Sequence, residues 1–285
     1  MFSMDRERVE KVFSDYASNY DLSDVKIHLK AVHTYHVAEN ADRIAESIGL
    51  TGSDRDLAWL LGMLHDVGRF EQLRRYHTFN DGISVNHAML SADILFGEES
   101  RKQIKSQAGS ENHEPADNGG TISKEGMIRK FIDDPSEDPL IEKAIRLHNV
   151  FQLPKDLTER EQTYCDILRD ADKIDIFRVN TETPRAEIYD LPEEDFLTSD
   201  LTDEVYQTIM AHKNVLRKPG LTAIDKIASH LALVYGLVYR ESILITKEQG
   251  YLDQLLENTS KNPKTQKKLS EMKDEIRKYM EERSR

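Results

Sequence analysis

Three features of the chain predict an all-α fold. Apolar residues recur every three or four positions along most of its length. No stretch shows the strict apolar–polar alternation of a half-buried strand. Glycine and proline are sparse, 13 and 8 in 285 residues, and fall between the periodic segments. A chain of this length can bury a large core without disulfides or a structural metal.

The periodicity places helices over about 5–18, 25–48, 54–67, 84–97, 138–149, 159–179, 200–213, 221–246, 248–258 and 263–283. Ser53 followed by Asp56 resembles a capping box ahead of Leu57-Ala58-Trp59. Asp138-Pro139 reads as an N-cap with proline at the first helical position. Gly68 stands where it can end the apolar helix before it. The stretch 106–126 is rich in Gly, Ser, Asn and Asp with few apolar residues, the composition of a mobile insertion. Leu269, Met272, Ile276 and Tyr279 mark a last helix laid on the surface of the body. With no repeat and no linker after residue 179, the expectation is one all-helical domain over 1–285. Its core spans about 25–180, with a helical extension over about 181–285.

The net charge of −13 argues against a general nucleic-acid binder and against a protein held on an anionic membrane. Small anions stay acceptable where local cations outweigh the acidic exterior. Cys165 is the only cysteine, so no intramolecular disulfide forms, as expected in a reducing compartment. No apolar signal segment opens the chain, and no run approaches the roughly 18 residues of a spanning helix. A cytoplasmic protein is expected, and self-association is left open.

Helical projection then asks which polar groups share the apolar faces. His33 borders the arc of Val37 and Ile44, whereas His36 projects with Arg43 and Ser47. The run Trp59 to Leu64 is almost wholly apolar and delivers His65 and Asp66 side by side at its end. There, desolvation and the negative end of the helix dipole both oppose a carboxylate. His87 shares a face with Leu90 and Ile94, and His148 with Ile141, Ala144 and Ile145. Asp172 is in register with Cys165, Leu168, Ile176 and Val179, while Asp170 follows the polar row of Thr163 and Asp166. Asp172 is therefore expected inward and Asp170 outward. One histidine alone is more often a satisfied core residue, but five helices each presenting His or Asp inward, with no inward Lys or Arg expected, point to a metal site. His230 rides an apolar stripe as a core histidine, Cys165 reads as core rather than nucleophile, and His28, His113 and His212 are expected exposed.

The series His33-Thr-Tyr-His-Val37, Leu64-His65-Asp66-Val-Gly68-Arg69 and Arg169-Asp-Ala-Asp172-Lys173 resembles the HD-domain superfamily of metal-dependent phosphohydrolases, over about residues 25–180. The resemblance implies a helical HD bundle with His33, His65, Asp66 and Asp172 as core metal ligands. His87 and His148 stand where two-metal members add histidines, and Asp66 would bridge the ions. It implies water-driven cleavage of a phosphate ester, with Asp66, Arg69 and Lys173 in the catalytic machinery. Arg69 replaces the lysine common after His-Asp-x-Gly and brings a planar fork suited to phosphate. Arg74, Arg75 and His77 are further candidates to hold the substrate phosphate, in the segment Phe70 to Gly82 that joins two ligand-bearing helices. Asp175, near the Asp172 face, either supports the ligands or pairs with a neighbouring base.

Mixed His and Asp ligation suits one or two ions of Mn, Fe, Co, Ni or Zn better than Mg. The partner implied is a small phosphorylated molecule, a nucleotide first among them. Phosphomonoester, cyclic diester, dinucleoside polyphosphate and alarmone stay open, although no Gly-Tyr-Pro of the cyclic-dinucleotide branch follows His148. Two other classes share this fold: a di-iron oxygenase, and a non-catalytic nucleotide-sensing module. Presence of all six ligand positions speaks against the second.

Overall fold

A computed structural model describes residues 2–97, 125–216, 218 and 220–285. The expected insertion 106–126, with His113, falls outside the described residues except for its last two positions. Helices dominate, and no strand occurs among the described residues. The chain divides into two compact units, Met1–Leu168 and Arg169–Arg285.

In the first unit, α1 (Arg6–Ala17) begins where the Asp5 side chain accepts from the amides of Glu7 and Arg8, and buries Val9, Phe13 and Ala17. The next helix, α2 (Val25–Ser47), is capped by Asp24 in the same way and buries Ile27, His33, Val37, Ala41 and Ile44. Against it packs α3 (Ser53–Leu64), buried continuously from Leu57 to Leu64. A β-carbon at Gly62 would lie 2.5 Å from the Ala38 Cα, so only glycine permits this approach. Gly52, not Ser53, is the N-cap of α3, and no side-chain cap forms. Two acidic residues in the first turn, Asp54 and Asp56, favour that end instead.

Gly68 does not end a helix. The chain breaks at His65 and Asp66, and α4 (Val67–Tyr76) follows at once. That helix was hidden from periodicity because its buried residues include the polar Glu71 and Gln72. Gly68 instead lets α4 press on α5 (His87–Phe96): a β-carbon there would meet the Ser91 nitrogen at 2.6 Å and the His87 carbonyl oxygen at 2.7 Å. Asn86 caps α5 by accepting from Ala88 and Met89. A short α6 (Ile128–Phe131) precedes α7 (Asp138–Leu147), which packs on α5 and α3. Glu137, rather than Asp138, is the N-cap of α7, and Asp138 sits in the first turn paired with Arg129. The long α8 (Glu159–Glu182) carries the chain from the first unit into the second, and Cys165 is buried on it as expected.

The second unit adds two short helices that the sequence did not announce, α9 (Arg185–Tyr189) and α10 (Glu193–Thr198), then α11 (Asp203–Met210). The single helix expected over 221–246 is broken into α12 (Ala223–Leu231), a 3₁₀ turn (Ala232–Gly236) and α13 (Arg240–Gln249). Asp170 explains the break. Its Oδ2 accepts from the amides of Val238 at 2.7 Å and Tyr239 at 3.1 Å and from the Ser242 hydroxyl at 2.7 Å. Asp170 is therefore fully buried rather than outward, because the interrupted helix covers a face that looked polar in isolation. Asp175 forms a two-bonded ion pair with Arg178, at 2.7 and 2.9 Å. His230 is buried and paired with the Tyr189 hydroxyl. After α14 (Tyr251–Leu255), α15 (Pro263–Ser284) packs on α13 and α11 through Leu269, Met272, Ile276 and Met280. No helix among the described residues is long and apolar enough to cross a membrane.

Candidate metal centre

Five polar side chains of the first unit converge on one point because four helix ends meet there. His33 comes from the middle of α2, His65 from the C-cap of α3, Asp66 from the N-cap of α4, His87 from the first residue of α5 and His148 from the C-cap of α7. All five are buried. The close approaches at Gly62 and Gly68 bring α2, α3, α4 and α5 near enough for these side chains to meet.

Asp66 is the hub. Its Oδ2 lies 3.7 Å from His33 Nε2 and 3.6 Å from His65 Nε2, and its Oδ1 lies 3.6 Å from the Nε2 of both His87 and His148. Asp66, His87 and His148 each offer an atom within 4.8 Å of the others, a grouping that can hold a metal ion. Three ring pairs stand edge to face, with centroids 5.3 Å apart for His33 and His65, 5.2 Å for His65 and His148, and 4.9 Å for His87 and His148.

The ring orientations are set from behind. His65 Nδ1 donates to the Gly62 carbonyl oxygen and His148 Nδ1 to the Ile145 carbonyl oxygen, each at 2.7 Å. His87 Nδ1 donates to Asp81 Oδ2 at 2.6 Å. In the neutral rings each Nε2 thus carries a lone pair, and those of His87 and His148 are 3.0 Å apart. Lone pairs this close repel unless positive charge, a second proton or a metal ion, lies between them. His87 resists protonation: burial and the nearby Arg69 guanidinium press its pKa down to about 4, against the pull of Asp81 and Asp66. Among the described residues, Asp66 Oδ1 accepts no hydrogen bond. Buried nitrogen and oxygen donors turned inward on one point fit a first-row transition ion.

Asp66 does not merely suffer the negative end of α3, since it also stands at the N-cap position of α4, whose dipole favours a carboxylate although its side chain makes no capping bond. The site is also not free of cations. Lys30 Nζ lies 2.7 Å from Asp66 Oδ2, with the side chain 14% exposed. Burial raises the Asp66 pKa, but Lys30 and the imidazoles outweigh it and hold the carboxyl well below the usual range. Lys30 was legible in principle, because it stands three residues before His33 on the same face of α2. Arg146 is buried as well, paired with Asp93 and Glu142.

Arg69 is beside the cluster. Its Nη2 lies 3.2 Å from His87 Nε2 and its Nε 3.8 Å from Asp66 Oδ1. Its Nη1 donates to Gln72, to the Phe79 carbonyl oxygen and to Asp81 Oδ1. Phe79 lies under both cations, its ring centroid 5.7 Å from Lys30 Nζ and 5.5 Å from Arg69 Cζ. Asp81, on the segment Phe70 to Gly82 that joins two ligand-bearing helices, accepts from His87, Arg69, Gln72 and Asn149. Despite burial, these donors keep its carboxyl far below the usual range. Arg74 and Arg75 both pair with Glu71 on α4, and His77 is the exposed, left-handed C-cap of that helix. In the second unit, Lys173 Nζ donates to the Gly236 carbonyl oxygen at 2.9 Å and lies 3.6 Å from Asp170. Asp172 is half-buried on α8, four residues beyond the end of the first unit.

An all-helical unit with a buried His/Asp cluster spread over successive helix ends defines a class of metal-binding helical proteins. The HD domain family model matches residues 31–176, about half of the chain, and the protein belongs to that family, the HD superfamily of metal-dependent phosphohydrolases. No curated protein and no solved structure matches the chain.

Proposed function

We propose that this protein is a metal-dependent phosphohydrolase that cleaves a phosphate ester of a nucleotide or similar small molecule with water. The observation that carries the reading is the inward aim of the His65, His87 and His148 Nε2 atoms around the Asp66 carboxylate, each ring oriented by a bond at Nδ1. His33, His65, Asp66, His87 and His148 would hold one or two ions of Mn, Fe, Co, Ni or Zn. When bound, such ions supply positive charge for phosphoryl oxygens and lower the pKa of a water.

The chain's own groups do the rest. Lys30 and Arg69 flank Asp66 and offer donors to a phosphate. Asp81 and Gln72 hold the Arg69 guanidinium against Phe79. Arg74, Arg75 and His77, on α4 and at its end, are assigned supporting contacts to the substrate. No covalent protein intermediate is required.

The test is metal analysis of purified protein and a phosphate-release screen on nucleotides, comparing wild type with Asp66→Ala. The variant should lose bound metal and phosphate release together. A metal-replete, active Asp66→Ala protein would refute the assignment.

A further inference from the structure

His65 and His148 both stand at helix C-termini, where the last carbonyl groups have no partner within the helix. Each bonds its Nδ1 to the carbonyl three residues back, Gly62 for one and Ile145 for the other. His87 has no such recourse. It is the first residue of α5, where the helix presents unpaired amides instead of carbonyls, and the Asn86 cap already serves two of those amides. Its tautomer has to be set by an acceptor from outside the helix.

We propose that Asp81 is the positioning residue that supplies this acceptor and thereby completes a metal position built from Asp66, His87 and His148. The proposal rests on the metal reading above. Asp81 Oδ2 accepts a hydrogen bond from His87 Nδ1 at 2.6 Å and another from Asn149 Nδ2 at 3.2 Å. Its Oδ1 accepts from Arg69 Nη1 at 3.1 Å and Gln72 Nε2 at 2.9 Å. Gln72 is itself anchored on the Ser84 hydroxyl and the Val85 carbonyl oxygen. The carboxylate is thus held by donors on α4, on α5 and in the segment after α7, so its direction is fixed before any ligand arrives. With Nδ1 donating, His87 Nε2 keeps its lone pair toward Asp66 and His148, 3.6 and 3.0 Å away. A carboxylate partner also makes His87 a stronger donor to an ion than a backbone carbonyl would. One side chain therefore sets both the ligand and the adjacent Arg69 cation.

The test compares wild type, Asp81→Asn and Asp81→Ala in two measurements. Long-range ¹H–¹⁵N NMR on metal-free protein reads the His87 tautomer directly. Wild type and Asp81→Asn, which keeps an acceptor, should show the Nδ1–H form, and Asp81→Ala should lose it. Titration with Zn²⁺ against a competing chelator should then show Asp81→Ala binding an ion about 10–100-fold more weakly, with Asp81→Asn in between. A role in folding alone would lower the melting temperature without moving the tautomer or separating the two variants. An unchanged tautomer and unchanged Zn²⁺ affinity in Asp81→Ala overturn the proposal. Wild type that binds no Zn²⁺ overturns the metal reading beneath it, and the NMR experiment still decides whether Asp81 holds His87.

Discussion

Gly62→Ala is the most direct probe of how packing makes the site. The added β-carbon would lie 2.5 Å from the Ala38 Cα and 2.7 Å from the Ala38 nitrogen. These are backbone atoms and cannot swing aside. Restoring an ordinary contact of about 3.4 Å requires α2 and α3 to part locally by about 0.9 Å, the difference between the two distances. Overpacking of this kind costs about 1–3 kcal/mol, partly offset by the better helix propensity of alanine, up to about 1 kcal/mol. At roughly 2–4 °C per kcal/mol for a unit of this size, melting should fall by several degrees. His33 rides on α2 and the His65 Nδ1 bond ends on the Gly62 carbonyl, so the same shift moves both rings. Metal content should fall with stability. Gly49→Ala is the control. Gly49 has φ +85° and open space around its β-position, so its substitution strains only the local backbone and leaves metal content intact. Calorimetry and metal analysis of both variants decide the matter. A Gly62→Ala protein with wild-type melting and wild-type metal would refute the argument that this close approach aligns the cluster.

Lys30→Met leaves the buried Asp66 carboxylate without its ammonium partner and should destabilise metal-free protein by about 3–5 kcal/mol. Added metal should restore much of that loss, since an ion replaces the missing charge; urea unfolding with and without chelator measures both, and an equal deficit in the two conditions would count against a metal at Asp66. For pH, the folded pKa of His87 lies near 4, below its ordinary 6.5. The unfolded chain then binds the proton more readily, so stability present above about pH 6.5 declines as pH falls toward 4, by about 3 kcal/mol in all. Urea midpoints of chelator-treated protein should show this slope, and His87→Asn should flatten it. A stability that rises on acidification through that window would contradict the neutral state of His87.

Much of the site could be read before any coordinates. His33, His65, His87 and His148 were separable from the exposed histidines because each lies on or at the end of an apolar helical face, as His230 also does, and burial follows directly from that periodicity. The same method failed for Asp170. A helical wheel shows which residues share a side and cannot show that a second element covers the polar side, as the broken helix around Val238 and Tyr239 does. It failed for α4 as well, because the inward face of that helix mixes Val67, Phe70 and Leu73 with the polar Glu71 and Gln72, which dilutes its apolar signal.

Helical class, the inward histidines and membership of the HD family therefore follow from residue order, since they depend on local spacing and on motifs a few residues long. Only the tertiary structure shows that Lys30 and Arg69 bracket Asp66 and that Asp81 stands behind His87. These pairings join residues up to 36 positions apart in sequence. Such distances close only when helices pack, and the packing turns on two glycines whose missing β-carbons no periodicity would single out.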